Sequence, residues 1–314
     1  MKLSIVTTLY QSSLHISEFY DRVSAVAECF AGDDYEILFV NDGSPDNSGE
    51  QIINLIKRDK HLVLIDLSRN FGHHKAIMTG LQNAKGDYVF LLDSDLEEDP
   101  ELLIDFSSQL FLHNCDVVYG VQSTRKGNWF ERFSGSLFYR IFRFLSRLDL
   151  PSNIIVMRLM TKRYVRALIE HRETEVFLAG LWHITGFTQM SREVLKHHSS
   201  PTTYTLSKKL SMLVNSVTSF SNAPLYGIFI VGIFIFFISC IYSMYLVMNW
   251  LFLASPPGGY TSLMASVWLL GGMLIMFIGI VGIYLAKIFL ETKRRPYSII
   301  KKIYRNPIYI EDNE

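Results

Sequence analysis

Two aspartates one residue apart, Asp93 and Asp95, follow the apolar run Val89-Phe90-Leu91-Leu92. A strand that ends in two carboxylates suits Mg2+ or Mn2+, because such an ion takes one or two protein oxygens and completes its shell with phosphate oxygens. Held there, the cation would neutralise a departing nucleoside diphosphate, which is Lewis-acid catalysis of leaving-group departure. An Asp-x-Asp by itself is common on surfaces. The acidic Glu97-Glu98-Asp99 that comes next can also simply start a helix at Pro100, where carboxylates meet the positive end of the helix dipole. The apolar strand in front of the pair is what lifts it above a surface feature. Other polar residues end neighbouring runs, namely Asn41-Asp42-Gly43-Ser44 and Ser68-Arg69-Asn70. His73 and His74 open a helix after Phe71-Gly72, where adjacent histidines read as phosphate neighbours or exposed side chains before they read as metal ligands. A Gly-rich phosphate loop of the Walker or dinucleotide type is missing, so neither NTP hydrolysis nor hydride transfer is indicated.

These residues need a scaffold that brings them to one edge. Short apolar runs at 3–7, 35–40, 62–67, 88–92 and 117–119 alternate with helix-length segments such as 48–57 and 75–84. Strand-helix alternation predicts an α/β fold with a mostly parallel sheet and helices on both faces. Ligands of such sheets lie outside the carboxyl ends of the strands, which is where the polar residues fall.

The second half of the chain has another character. Residues 225–254 and 262–290 are overwhelmingly apolar, and a bilayer needs roughly 20 such residues for a spanning helix. Lys287 lies near an end, where it can snorkel. A short uncharged turn, Ser255-Pro256-Pro257-Gly258-Gly259-Tyr260-Thr261, joins the two. Lys208 and Lys209 precede the pair, and Lys293, Arg294, Arg295, Lys301 and Lys302 follow it. Positive charge on both outer flanks predicts that both termini are cytoplasmic. Two further segments read as helices lying in the headgroup plane. Residues 129–148 combine Phe130, Phe133, Leu137, Ile141, Phe144 and Leu148 with Arg132, Arg140, Arg143 and Arg147. Residues 207–221 repeat the pattern more weakly.

Charge divides along the same line. Residues 1–116 carry 8 Lys and Arg against 20 Asp and Glu, whereas 117–314 carry 22 against 10. An acidic half suits cations, and a basic half beside apolar helices suits anionic lipid. Cys29, Cys115 and Cys240 are too few and too far apart for a disulfide framework or a zinc site, which favours a reducing compartment. The amino terminus reads as a strand and lacks the layout of a cleaved signal.

The order of Val40-Asn41-Asp42-Gly43-Ser44, Ser68-Arg69-Asn70-Phe71-Gly72 and Leu92-Asp93-Ser94-Asp95-Leu96 resembles the GT-A family-two polyprenyl-phosphate glycosyltransferases. These include the bactoprenol glucosyltransferases and the dolichol-phosphate mannose synthases. The segment from Gly259 to Lys302 is similar to the paired-helix end of the bactoprenol enzymes. The resemblance implies a Rossmann-like GT-A catalytic domain over 1–206, a second interfacial helix over 207–221, a two-helix transmembrane hairpin over 225–290 and a cytoplasmic basic tail over 291–314. It implies that Asp42 reads the nucleotide base and that Thr8 and Tyr10 line its pocket. Asp93, Ser94 and Asp95 would bind metal and diphosphate, with Asp93 and Asp95 catalytic. Arg125, Arg132 and Ser136 would hold the acceptor phosphate, a task suited to arginine because its planar donors match phosphate oxygens.

Several positions depart from that pattern. The usual Pro-x-Tyr-Asn-Glu is Thr8-Leu9-Tyr10-Gln11-Ser12, and Asp-Leu-Gln is Asp95-Leu96-Glu97. The usual Asp-x-Gly-Asp-Phe-Arg-Leu-Met runs from Asn153 to Met160 without either carboxylate. Gln122, His197 and Thr203 stand where basic residues are usual. A sugar hydroxyl acceptor needs a base to take its proton, but a lipid phosphate, with a second pKa of about 6, does not. The losses therefore count against a hydroxyl acceptor more than against a phosphate.

The expected activity is inverting transfer of a hexose from a nucleotide diphosphate sugar, a UDP-sugar by preference, to undecaprenyl phosphate, for cell-surface polysaccharide modification or assembly. The expected cofactor is Mg2+ or Mn2+, and the expected setting is the cytoplasmic face of a bacterial plasma membrane. Nucleic acid is not an expected partner, and a homo-oligomer stays open. The alternatives are a transferase acting on a lipid-linked saccharide, a processive synthase, for which two spans are few to form a polymer channel, and a non-catalytic membrane scaffold.

Overall fold

The computed structural model describes residues 2–122, 153–195, 217–218, 221–253 and 259–306. They fall into two compact units, one built from 2–122, 153–195 and 295–306, the other from 217–218, 221–253 and 259–294.

The first unit is an eight-stranded sheet with helices. Its strands are β1 (Leu3–Leu9), β2 (Tyr35–Asn41), β3 (Leu62–Leu67), β4 (Tyr88–Leu91), β5 (Val117–Gln122), β6 (Ile154–Thr161), β7 (Gln189–Val194) and β8 (Ile300–Tyr304). Its helices are α1 (Ile16–Ala31), α2 (Ser48–Ile56), α3 (His73–Asn83), α4 (Leu102–Leu112), α5 (Lys162–Ile169) and α6 (Leu178–Ile184). The strand order is β7-β5-β6-β4-β1-β2-β3-β8. β1 to β4 run parallel; β6 is antiparallel to both β4 and β5, and β8 is antiparallel to β3. The expected mostly parallel sheet is present.

Strands β1 to β4 are nearly continuous apolar runs because they are buried on both faces. Leu3, Ile5, Leu9, Ile37, Phe39, Leu62, Leu64 and Phe90 belong to one core cluster. α1 turns Ile16, Phe19, Val23, Val26 and Ala27 inward, a helical spacing that makes one apolar stripe. Each of the valine, isoleucine and phenylalanine side chains contributes roughly 1.5–3 kcal/mol when fully buried. At the amino ends of the strands, the Ser4 hydroxyl donates to Glu36 Oε1 at 2.6 Å and accepts from the Gly86 amide at 2.7 Å. Only glycine fits this approach, since a Cβ on residue 86 would lie 2.5 Å from the Ser4 nitrogen.

The segment read from sequence as a basic tail supplies β8. The catalytic sheet therefore does not end at residue 206; its edge strand comes from beyond the long helices. Ser68 donates its amide to Ile299 O at 2.9 Å, and Asn306 donates its side-chain amide to Ile56 O at 2.9 Å. Lys301 lies 3.3 Å from Asp66. Lys301 and Lys302 within the strand and Arg305 just after it are basic, which hid it among the flanking charges.

The second unit holds two long helices, α7 (Ala223–Leu253) and α8 (Tyr260–Thr292), which contact each other. Their bounds agree with the two apolar stretches expected. Among the described residues, one stretch, Leu270–Thr292, is long and apolar enough to cross a membrane, and Ala223–Ile235 is a shorter apolar stretch. Phe229, Phe234, Phe237, Ile275, Ile278 and Leu285 are exposed, which leaves the two helices with a large apolar surface. The expected interfacial helix at 129–148 lies outside the described residues, as does most of 207–221.

Candidate active site

The parallel strands place their carboxyl ends on one edge of the sheet. There β1 ends toward Tyr10, β2 at Asn41 and Asp42, β3 at Ser68, and β4 at Asp93, Ser94 and Asp95. Register keeps these ends level, with Val6 opposite Leu91 and Leu9 opposite Asn41. Ser94 is buried, and its hydroxyl donates to Thr8 O at 3.0 Å and lies 3.1 Å from the Ser12 hydroxyl. It ties β4 to β1. Asp95 is exposed, and its Oδ1 accepts the Glu97 amide at 3.1 Å, closing a turn in which Leu96 has φ 57°. Asp93 keeps 25% of its side chain exposed, with Oδ1 3.4 Å from His73 Nε2. The opposite ring nitrogen, His73 Nδ1, lies 3.1 Å from Thr8 Oγ1. Desolvation pushes the pKa of His73 down, with Asp42 and Asp95 pulling the other way.

Asp42 is 3% exposed and acts on the neighbouring loop. Its Oδ1 accepts the Phe71 amide at 2.7 Å and its Oδ2 the Gly72 amide at 3.0 Å. Burial raises its pKa, and the two amides, His73 and Arg69 oppose that rise. Next to it, Gly43 has φ +62°, and a Cβ there would lie 2.5 Å from the Asn70 nitrogen. The turns after β2 and β3 thus touch backbone to backbone. On the other side, Asp46 accepts from the Ser44 and Ser48 hydroxyls and from the Ser48 and Ser13 amides. Ser44 in turn accepts the Gln11 amide at 2.8 Å. These contacts fix the turn carrying Tyr10, which is 50% exposed beside Asp42's strand end.

A sheet edge with paired aspartates at its centre strand and a buried carboxylate two strands away invites comparison with known proteins. The family model described as Glycosyl transferase family 2 matches residues 4–169. A Mycobacterium tuberculosis chain that carries a glycosyltransferase name is 48% identical over 97% of this chain and 89% of its own length. The chain belongs to glycosyl transferase family 2. This glycosyltransferase is also 32% identical to the SfII prophage-derived bactoprenol glucosyl transferase of Shigella flexneri, over 98% of this chain and all of that one. Among solved structures, glucosyl-3-phosphoglycerate synthase of Mycobacterium tuberculosis, in complex with Mn2+, UDP and glucosyl-3-phosphoglycerate, is similar with a TM-score of 0.48. It is 16% identical, over 70% of this chain and 80% of that chain.

Of the site residues expected from sequence, the glycosyltransferase brings Thr8, Tyr10, Asp42, Asp93, Ser94 and Asp95 to this one edge. Arg125, Arg132 and Ser136 lie outside the described residues. Among the described residues no three metal-ligating side chains converge. The carboxylates of Asp93 and Asp95 nevertheless fit a magnesium or manganese ion that shares its shell with phosphate oxygens and water, as such ions commonly do.

Two features of the enzyme were not legible beforehand. His73, which the sequence reads as a phosphate neighbour or an exposed side chain, stands between the ends of β1 and β4. Arg158 of β6, opposite Leu91, is fully buried with its guanidinium 3.0 Å from the Trp182 ring centre. It donates to Val156 O and Ile155 O, both at 3.1 Å, and desolvation pushes its pKa down to about 9. A lone arginine inside an apolar run was the available signal. The acidic run after Asp95 divides in its roles. Glu98 is buried, whereas Asp99 and Glu101 meet Arg22 of α1 at 2.6 Å and hold the start of α4.

Proposed function

We propose that this family-2 glycosyltransferase moves a hexose, with inversion, from a UDP-sugar to undecaprenyl phosphate, for modification or assembly of cell-surface polysaccharide. The observation that carries this reading is Asp93 and Asp95 at the end of β4, level with the ends of β1 and β2, in a chain that also bears two long apolar helices. The full-length similarity to a bactoprenol glucosyl transferase supports the lipid acceptor.

The residues divide the work as follows. Asp42, through the Phe71 and Gly72 amides, and Asp46, through the Ser13 amide, keep the two loops around the nucleotide in place. Tyr10 has an open ring for contact with the base. Asp93 and Asp95 hold Mg2+ or Mn2+, which when bound supplies positive charge to the leaving diphosphate. Ser94 keeps that turn against β1. Arg125, Arg132 and Ser136 grip the acceptor phosphate, whose oxygens match the planar donors of arginine. An ionised phosphate attacks without a protein base, so the absence of carboxylates from Asn153 to Met160 is compatible with catalysis. α7 and α8 cross the membrane as a hairpin, and the basic residues flanking them keep the catalytic unit and both termini in the cytoplasm.

The test is substitution at the metal edge. Asp95→Asn is expected to abolish transfer while membrane insertion stays intact, and EDTA is expected to do the same to the wild type. Full activity in that variant or in chelator would overturn the metal assignment.

A further inference from the structure

We propose that Asp66 is a positioning residue of the nucleotide site: through the Asn41 side chain it holds the backbone of Ser44, and Ser44 holds the strained residue that follows Tyr10. The proposal rests on the reading of Tyr10 as a contact of the base.

Asn41 closes β2 directly opposite Asp66 of β3. Its Nδ2 donates to Asp66 Oδ1 at 2.8 Å, and its Oδ1 accepts the Ser44 amide at 3.0 Å. With both ends of its amide engaged, the Asn41 side chain is held in one orientation. Ser44 Oγ in turn accepts the Gln11 amide at 2.8 Å and donates to Asp46 Oδ1 at 2.6 Å. Gln11 has φ 56°, a left-handed conformation that residues other than glycine keep only where their surroundings impose it. Tyr10 thus lies between the end of β1 and a backbone position fixed from β2 and β3.

Asp66 is also approached from its far side. Its side chain is 13% exposed, and its Oδ2 forms an ion pair with Lys301 Nζ at 3.3 Å. β8 shifts register against β3 at this point, with Asp66 opposite Lys302 and Leu67 opposite Ile300. Lys301 is the extra residue at the shift, and such a residue has its side chain re-aimed. Its ammonium reaches the carboxylate oxygen that Asn41 does not use. Asp42 acts elsewhere, on the Phe71 and Gly72 amides, so the two carboxylates support different walls of the site. A turn already held in its binding conformation loses less freedom when the ligand arrives, and its supports therefore act on affinity.

The experiment is equilibrium binding of UDP, with Mn2+ present, to the detergent-solubilised full chain, measured by calorimetry. Asp66→Ala leaves the Asn41 amide without its acceptor, and Asn41→Asp sets a second carboxylate against Asp66. Asn41→Asp combined with Asp66→Asn exchanges donor and acceptor: the new carboxylate accepts the amide at position 66 on one oxygen and the Ser44 amide on the other. Each single variant is expected to bind UDP about tenfold more weakly than wild type, as for loss of one hydrogen bond to a charged group, and the exchange within about threefold of it. In Asp66→Ala, UMP should lose the same factor as UDP, because the contacts support the base and not the diphosphate. An exchange as weak as Asn41→Asp, wild-type affinity in Asp66→Ala, or a loss seen with UDP and not with UMP overturns the proposal. Urea midpoints are measured alongside; a lowered midpoint with unchanged affinity of the folded chain overturns it as well. Asn41→Asp and the exchange leave side-chain volume almost unaltered, so they decide the matter if the alanine variant does not fold. Wild-type UDP affinity in Tyr10→Ala would overturn the reading of Tyr10 itself, and that failure shows before any variant at Asn41 or Asp66 is compared.

Discussion

Asp42 is the place where removal of one carboxylate should loosen the site most. Its two oxygens accept the Phe71 and Gly72 amides at 2.7 and 3.0 Å, and its side chain is almost fully buried. Hydrogen bonds to a charged group contribute about 1.5–3 kcal/mol each, so Asp42→Ala removes a gross 3–6 kcal/mol. Burial, which raises the carboxyl's pKa, offsets part of that, because the variant no longer keeps a charge out of water. A net loss of about 2–4 kcal/mol remains. Asp42→Asn keeps one accepting oxygen but turns an NH2 group toward the other amide, and should lose about 1–2 kcal/mol. Urea unfolding of the detergent-solubilised chain at pH 7, followed by fluorescence, should order the midpoints as wild type, then Asn, then Ala. UDP affinity should fall in the same order, since the loop from Arg69 to Gly72 borders the site. An alanine variant as stable as wild type, or an asparagine variant weaker than alanine, would refute the clamp.

Two further outcomes are expected. Burial alone would raise the Asp46 pKa, but the hydroxyls of Ser44 and Ser48 and the amides of Ser48 and Ser13 hold it well below the usual carboxylate range. Its charge therefore contributes stability that is present above the unfolded value, about 3.9, and lost as pH falls through the folded one. The stability gap between wild type and Asp46→Asn should be full at neutral pH and shrink in acid below about pH 4; a gap independent of pH contradicts this. For topology, a reporter fused after Glu314 should behave as cytosolic and one inserted at Gly258 as external, and the opposite pattern would reverse the orientation.

Much of the catalytic unit was readable because burial on two faces writes strands as apolar runs. β1 to β4 lie where those runs lie, and the polar residues that end them form the site edge. α3 begins at His73, where the sequence opens a helix after Phe71-Gly72, and the Gly72 amide at that start is held by Asp42 from the end of another strand. β6 and β8 were hidden for chemical reasons. Arg158 interrupts an apolar stretch, and its burial under Trp182 is a tertiary fact. Lys301 and Lys302 make β8 look like flanking charge, although Lys301 pairs with Asp66. The neighbours of His73 were not readable, because Thr8 and Asp93 come from the ends of two other strands and no local spacing announces them. Asp42 was legible as a site residue, but its grip on the Phe71 and Gly72 amides depends on how β2 and β3 lie side by side.

The most direct test of the account is a transfer assay with the purified full chain in detergent, a UDP-hexose, Mn2+ and polyprenyl phosphate. The account predicts a sugar-linked lipid phosphate formed with release of UDP, lost in EDTA and in Asp95→Asn. Product formed only on a lipid-linked saccharide, with polyprenyl phosphate ignored, would contradict it, as would turnover undiminished by chelator.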